Sequence, residues 1–133
     1  MISKVIYEGE LRTQATHLQS GKTIYTDAPV DNQGKGDAFS PTDLVATSLA
    51  SCMLTIMGIV ARRDGILLKG AVAEVEKIMA KDPRRIGEIK IKFIFKHTIE
   101  DKDRVKLERA ARTCPVSGSL HQDLKENINF IYP

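Results

Sequence analysis

Residues 44–61, LVATSLASCMLTIMGIVA, run for 18 positions without a charged side chain. That length touches the lower edge of a transmembrane span. Thr47, Ser48, Ser51 and Thr55, with several Ala and one Gly, dilute it, which predicts a low hydropathy score and a helix buried inside a soluble protein. The residues just before it form a helix start. Ser40 is placed to cap, Pro41 to occupy the first turn, and Asp43 to stand at the acidic position of a capping box. Asp64 and Gly65 stop the helix near Arg63. On a helical wheel Thr47, Ser48, Ser51, Thr55, Gly58 and Arg62 share an arc of about 100°, while Val45, Leu49, Met53, Ile56, Met57, Ile59 and Val60 cover the rest. A helix apolar around most of its girth needs cover on several sides. In a chain of 133 residues, a second subunit is a natural source of it.

β-type segments flank this helix. Residues 3–16 and 22–27 carry Val5, Ile6, Tyr7, Thr23, Ile24 and Tyr25, with a turn at 19–21. Residues 27–41, rich in Gly, Asp and Pro, form a loop long enough to serve a function or to cross to a partner subunit. Downstream, 71–79 and 88–96 are strands joined by a turn holding Pro83 and Gly87. In the second, Ile89, Ile91, Phe93 and Phe95 alternate with Lys90, Lys92 and Lys96, which predicts an inner apolar and an outer solvated face. Helices are expected over 101–114 and 116–127, and a last strand alternates Ile128, Phe130 and Tyr132. The order predicts an α+β fold in one domain, 1–133, with no glycine-rich phosphate loop, repeat or linker.

Composition narrows the function classes. Twenty basic and 17 acidic residues leave a net charge of +3, with no Trp, three Tyr and four Phe. No basic stripe interleaved with aromatics appears, so neither a nucleic-acid surface nor a base-stacking platform is expected. MISKVIYEGELRT has no apolar leader core, two cysteines are too few for a disulfide scaffold, and no membrane partner is expected. A cytoplasmic location follows by default.

The two cysteines are the chemistry-bearing residues. Cys114 precedes Pro115, which pushes it out of helical geometry and toward a helix entrance. Free N–H groups there favour thiolate, and Ser117 adds a donor. The plainer alternative is that Cys–Pro simply begins a helix. Cys52 falls at the boundary between the two arcs of the long helix, where its sulfur could floor a pocket or be inert packing. Together two thiols permit a cycle in which one becomes sulfenic acid and the other condenses with it. Their spacing is not CxxC, which disfavours thioredoxin-type exchange. His17, His97 and His121 are scattered, and neither a zinc site nor a Cys–His hydrolase is expected.

The stretch FSPTDLVATSLASC opening the long helix, followed by CPVSGSL, resembles the OsmC/Ohr family of osmotically inducible proteins and organic hydroperoxide reductases, over essentially the whole chain. The resemblance implies an OsmC-like α+β fold, an intertwined homodimer with long central helices wrapped by antiparallel sheets. It implies a thiol-dependent peroxidase that reduces organic hydroperoxides to alcohols. Cys52 matches the peroxidatic thiol and Cys114 the resolving thiol. The reductant would be a small dithiol or a lipoylated protein, with no metal or organic cofactor. The family's helix start carries a Glu, paired with an Arg, where this chain has Thr42. Asp43 lies one position, a 100° rotation, further on. Arg12 and His17 stand in for the Arg as candidate supporting groups, beside Lys22. The alternative function is a weakly catalytic or non-catalytic protein of the same fold that binds a hydrophobic ligand or senses redox state.

Overall fold

The structure, a computed structural model, describes residues Met1–Pro133 in two compact units, Met1–Val45 and Ala46–Pro133. The first holds an antiparallel sheet of β1 (Ser3–Gly9), β2 (Arg12–His17) and β3 (Thr23–Asp27), in the order β1-β2-β3. The single strand expected over 3–16 is therefore two. Gly9 pairs with Arg12, leaving Glu10 and Leu11 as a two-residue hairpin loop. Both have positive φ, 54° and 60°, the backbone a primed turn demands. Sequence alone hides this turn because Asn-Gly or Asp-Gly ordinarily marks it, and non-glycine residues seldom take that conformation.

The loop after β3 is folded back on itself. Val30–Asn32 form a 3-10 turn. The Gly34 N–H donates to the Pro29 carbonyl at 2.9 Å and the Gly36 N–H to the Ala28 carbonyl at 3.3 Å. A Cβ on Gly34 would lie 1.7 Å from the Ala28 carbonyl oxygen, so only glycine fits. Asp27 anchors the loop: its N–H donates to the Phe39 carbonyl at 3.1 Å. Its carboxylate, 1% exposed, receives Arg12 Nε and Nη2 at 2.7 and 2.8 Å.

Helix α1 (Pro41–Asp64) opens on the expected capping box: the Ser40 N–H donates to Asp43 Oδ2 at 2.9 Å, and the Asp43 N–H to Ser40 Oγ at 3.0 Å. Each side chain satisfies a backbone donor that the first turn leaves open. The helix is more apolar than the Ser and Thr content predicts. Its mean hydropathy of 2.1 over eighteen residues makes it long and apolar enough to cross a membrane by length and composition. In the fold it supplies core: Ala46, Leu49, Ala50, Met53, Met57 and Ala61 are buried.

In the second unit β4 (Val72–Ala80) and β5 (Arg85–Ile94) form the expected hairpin, and β6 (Lys125–Ile131) pairs with β5. That last pairing is parallel, from Glu88↔Lys125 to Ile94↔Ile131. The expectation of antiparallel sheets holds for β1-β2-β3 and for β4-β5 and fails at β6. Helices α2 (Asp101–Ala111) and α3 (Pro115–Ser119) connect β5 to β6, and such a crossover delivers the chain in the same direction. Helix α3 is shorter than expected because Leu120 is already extended and pairing claims the chain from Lys125.

The inner face of β5 carries Ile89, Ile91 and Phe93, and Phe95 continues the row just past the strand's end, all buried as the alternation predicts. Phe93 stacks on Phe130 at 5.4 Å, Phe95 on Phe130 at 6.4 Å, and Phe95 on Tyr132 at 4.7 Å. Helix α2 is tied to this ladder. The Tyr132 hydroxyl donates to Glu108 Oε2 at 2.8 Å, and the Arg104 guanidinium lies 4.2 Å from the Tyr132 ring centroid. Burial, then the bond to Glu108, pushes the Tyr132 hydroxyl well above its usual range.

Candidate active site

Cys52 lies in the middle of α1 and is half-buried. Cys114 ends the connection after α2, where the Thr113 N–H donates to the Ala110 carbonyl at 3.0 Å and the Cys114 N–H to the Ala111 carbonyl at 3.3 Å. It is the N-cap of α3, with Pro115 in the first turn as the sequence predicts. Its Sγ accepts the Ser117 N–H at 3.3 Å. It is only 1% exposed and belongs to the hydrophobic core, against which Cys52 is packed. Both thiols are free.

Though 62 residues apart in sequence, Cys52 packs against the cluster that contains Cys114. Burial pushes the Cys114 thiol above its ordinary value. The Ser117 N–H opposes that push, and Cys52, as a hydrogen-bond partner and as a like charge when ionised, adds to it. The helix-entrance argument for a low Cys114 pKa therefore points the wrong way. Desolvation of the anion outweighs the backbone donors of Ser117 and Val116 when the sulfur is this deeply enclosed. The Cys114 thiol is held neutral at neutral pH.

The four supporting candidates are engaged elsewhere, within the first unit. Asp43 serves the capping box, and Thr42 Oγ1 lies 3.2 Å from Ser40 Oγ. Arg12 is held bidentately by Asp27, and its guanidinium holds that carboxyl below the usual carboxylate range. His17 is exposed, with Nδ1 2.7 Å from Ser20 Oγ. Asp27 is the residue the sequence reading missed; a lone Asp before Ala-Pro looks like loop, and nothing local marks it as the partner of Arg12. No group of three or more His, Cys, Asp and Glu side chains is placed to hold a metal ion.

A family model described as OsmC-like protein matches residues 34–129. The chain belongs to the OsmC-like family. This redox-associated, stress-response family is the one that the paired motifs at Cys52 and Cys114 resemble. A crystal structure from Psychrobacter arcticus 273-4, of a protein described as osmotic stress induced and of the detoxification response, is 55% identical over 98% of this chain and 95% of that one, with a TM-score of 0.95. The OsmC-like protein of Mycoplasma pneumoniae is 17% identical over 98% of this chain and 94% of that one, at a TM-score of 0.81. The organic hydroperoxide resistance protein OsmC of Legionella pneumophila is 15% identical over 98% and 97%, at 0.77. These two share the fold. No curated protein matches the chain. Within this OsmC-like chain the family match takes in Thr42, Asp43 and both cysteines, whereas Arg12 and His17 precede it.

Proposed function

We propose that this OsmC-like protein is a thiol-dependent peroxidase that reduces organic hydroperoxides to alcohols through Cys52 and Cys114. The observation that carries the reading is the pairing of two free thiols in unequal surroundings, Cys52 half-buried and Cys114 enclosed. A neutral, enclosed thiol is a poor first attacker, so Cys52 is the one that meets peroxide. Its thiolate attacks the distal oxygen of ROOH, the O–O bond breaks, and a proton completes the leaving alcohol ROH. Cys52 is left as sulfenic acid. The Cys114 sulfur then attacks the Cys52 sulfur; an S–S bond forms and water leaves, carrying the sulfenic oxygen, its proton and the proton from Cys114. Two thiol–disulfide exchanges with a dithiol, small or carried as a lipoyl group on a protein, return both thiols and oxidise the dithiol to a cyclic disulfide.

Thr42, Asp43, Arg12 and His17 receive no step in this cycle, since each is engaged in holding its own segment. A reducing, cytoplasmic compartment suits the pair, because regeneration requires a supply of dithiol. The test is mass spectrometry of intact and digested protein after one equivalent of cumene hydroperoxide. The expected product is an intramolecular Cys52–Cys114 disulfide, with the loss of two hydrogens. Persistent free thiols would sink the cycle.

The homodimer belongs to the same proposal. Apolar surface is left open on both units: Tyr7 is 65% exposed and Ile59, on α1, 61%. Exposed apolar area of this kind marks an association surface. Sedimentation equilibrium should give twice the 14.8 kDa chain mass; a monomer at micromolar concentration would refute it. A ligand-binding reading has its own support in a cavity of about 430 Å³ lined by Leu54, Gly58, Ala61, Ile66 and Leu68, with Arg62 and Lys69 beside it. Turnover of peroxide separates the two readings.

A further inference from the structure

The inner face of β6 contains one residue that breaks its pattern. In the parallel register Phe130 pairs with Phe93, Ile128 with Ile91, and Glu126 with Ile89. Ile89, Ile91 and Phe93 are buried, so the alternation calls for an apolar side chain at position 126. A carboxylate there costs desolvation unless it is hydrogen-bonded. No cation pairs with it. Instead the Ser117 hydroxyl donates to both carboxylate oxygens, at 2.8 Å to Oε1 and 2.9 Å to Oε2. The backbone N–H of the same serine is the donor to Cys114 Sγ at 3.3 Å. One residue therefore joins the carboxylate on the strand to the sulfur at the mouth of α3.

Helix α3 has only five residues, too few to hold its own shape by propagation. Its first turn needs an external anchor, and Ser117 is where the anchor attaches. We propose that Glu126 is a positioning residue for Cys114: through Ser117 it fixes the first turn of α3 and keeps the Ser117 N–H on the sulfur, which favours the reduced dithiol over the Cys52–Cys114 disulfide. This rests on the two-cysteine reading and deepens it. A disulfide draws Sγ toward Cys52 and weakens its role as an acceptor, so the anchor acts against oxidation and makes the pair easier to reduce again.

The test is the equilibrium between dithiol and disulfide in dithiothreitol redox buffers at pH 7, on the full-length protein, read by thiol trapping and mass spectrometry with no peroxide present. Glu126→Ala should shift the equilibrium about tenfold toward disulfide, roughly 30 mV to a more reducing potential. Glu126→Gln, whose amide oxygen still accepts from Ser117, should stay within about threefold of the parent. Ser117→Ala keeps the N–H but loses the hydroxyl, so it should reproduce Glu126→Ala, and the double variant should add nothing to either single change. A merely structural role would not make Gln rescue the potential. The inference is overturned if Glu126→Ala matches the parent, if Gln and Ala shift alike, or if the two single shifts add. Should the parent form a disulfide normally while Glu126→Ala leaves it unmoved, the positioning role fails and the two-cysteine reading stands. If the parent forms no Cys52–Cys114 disulfide in any buffer, both fall.

Discussion

Cys52→Ser should abolish peroxide-driven oxidation of a dithiol, leaving the uncatalysed background, a drop on the order of a thousandfold or more. A serine hydroxyl does not ionise at neutral pH and cannot form a sulfenic acid, so the first bond-making step has no attacker. Cys114 does not substitute for it, because its thiol is enclosed and held neutral. Cys114→Ser should behave differently: one equivalent of peroxide is consumed, Cys52 stops at sulfenic acid or beyond, and steady turnover with dithiol falls. Coupled consumption of cumene hydroperoxide, with a trap for sulfenic acid, distinguishes the two variants. Retention of more than about a tenth of the parent rate by Cys52→Ser would refute the peroxidase reading and leave ligand binding at the cavity beside Leu54 as its successor.

The largest effect on stability is expected at Phe93→Ala. Phe93 is 0% exposed, sits on the central strand of its sheet, and stacks on Phe130 across the β5–β6 register. Removing the ring deletes its transfer free energy and leaves a cavity that two adjacent strands cannot close, a loss of about 3–5 kcal/mol. The offset stack contributes a further part of roughly 0.5–1.5 kcal/mol within that sum. Urea unfolding should show a large fall in midpoint with little change in slope. Lys92→Ala, one residue away on the solvated face, is the control and should move stability by less than about 0.5 kcal/mol. A Phe93→Ala loss below 1 kcal/mol, on the order of a surface change, would contradict the buried ladder.

Legibility in the sequence followed the range of the interaction. The capping box at Ser40 and Asp43 was readable because both partners lie within three residues and their types specify the geometry. The inner face of β5 was readable because the side-chain period of a strand does not depend on its neighbours. The turn at Glu10 and Leu11 was not, because residues without the usual turn chemistry adopt its backbone there. The direction of β6 was hidden as well. Ile128, Phe130 and Tyr132 alternate identically whether the strand runs parallel or antiparallel, and only the α2–α3 crossover settles it.

The candidate site divides along the same line. By itself the sequence determined which side chains can do thiol chemistry, since the chain has only two cysteines, both within the residues that the OsmC-like family model matches. It also determined the strongly periodic elements that carry them, because helix caps and alternation are local properties. The tertiary structure alone decided that Cys52 packs against the core cluster to which Cys114 belongs, and that Cys114 is too enclosed to be the readily ionised thiol its Pro115 step implies. It alone decided that Arg12 belongs to Asp27 and Ser117 to Glu126. Burial and long-range pairing depend on what the rest of the chain places around a residue. A thiol's ionisation is governed by that environment more than by its immediate neighbours in sequence.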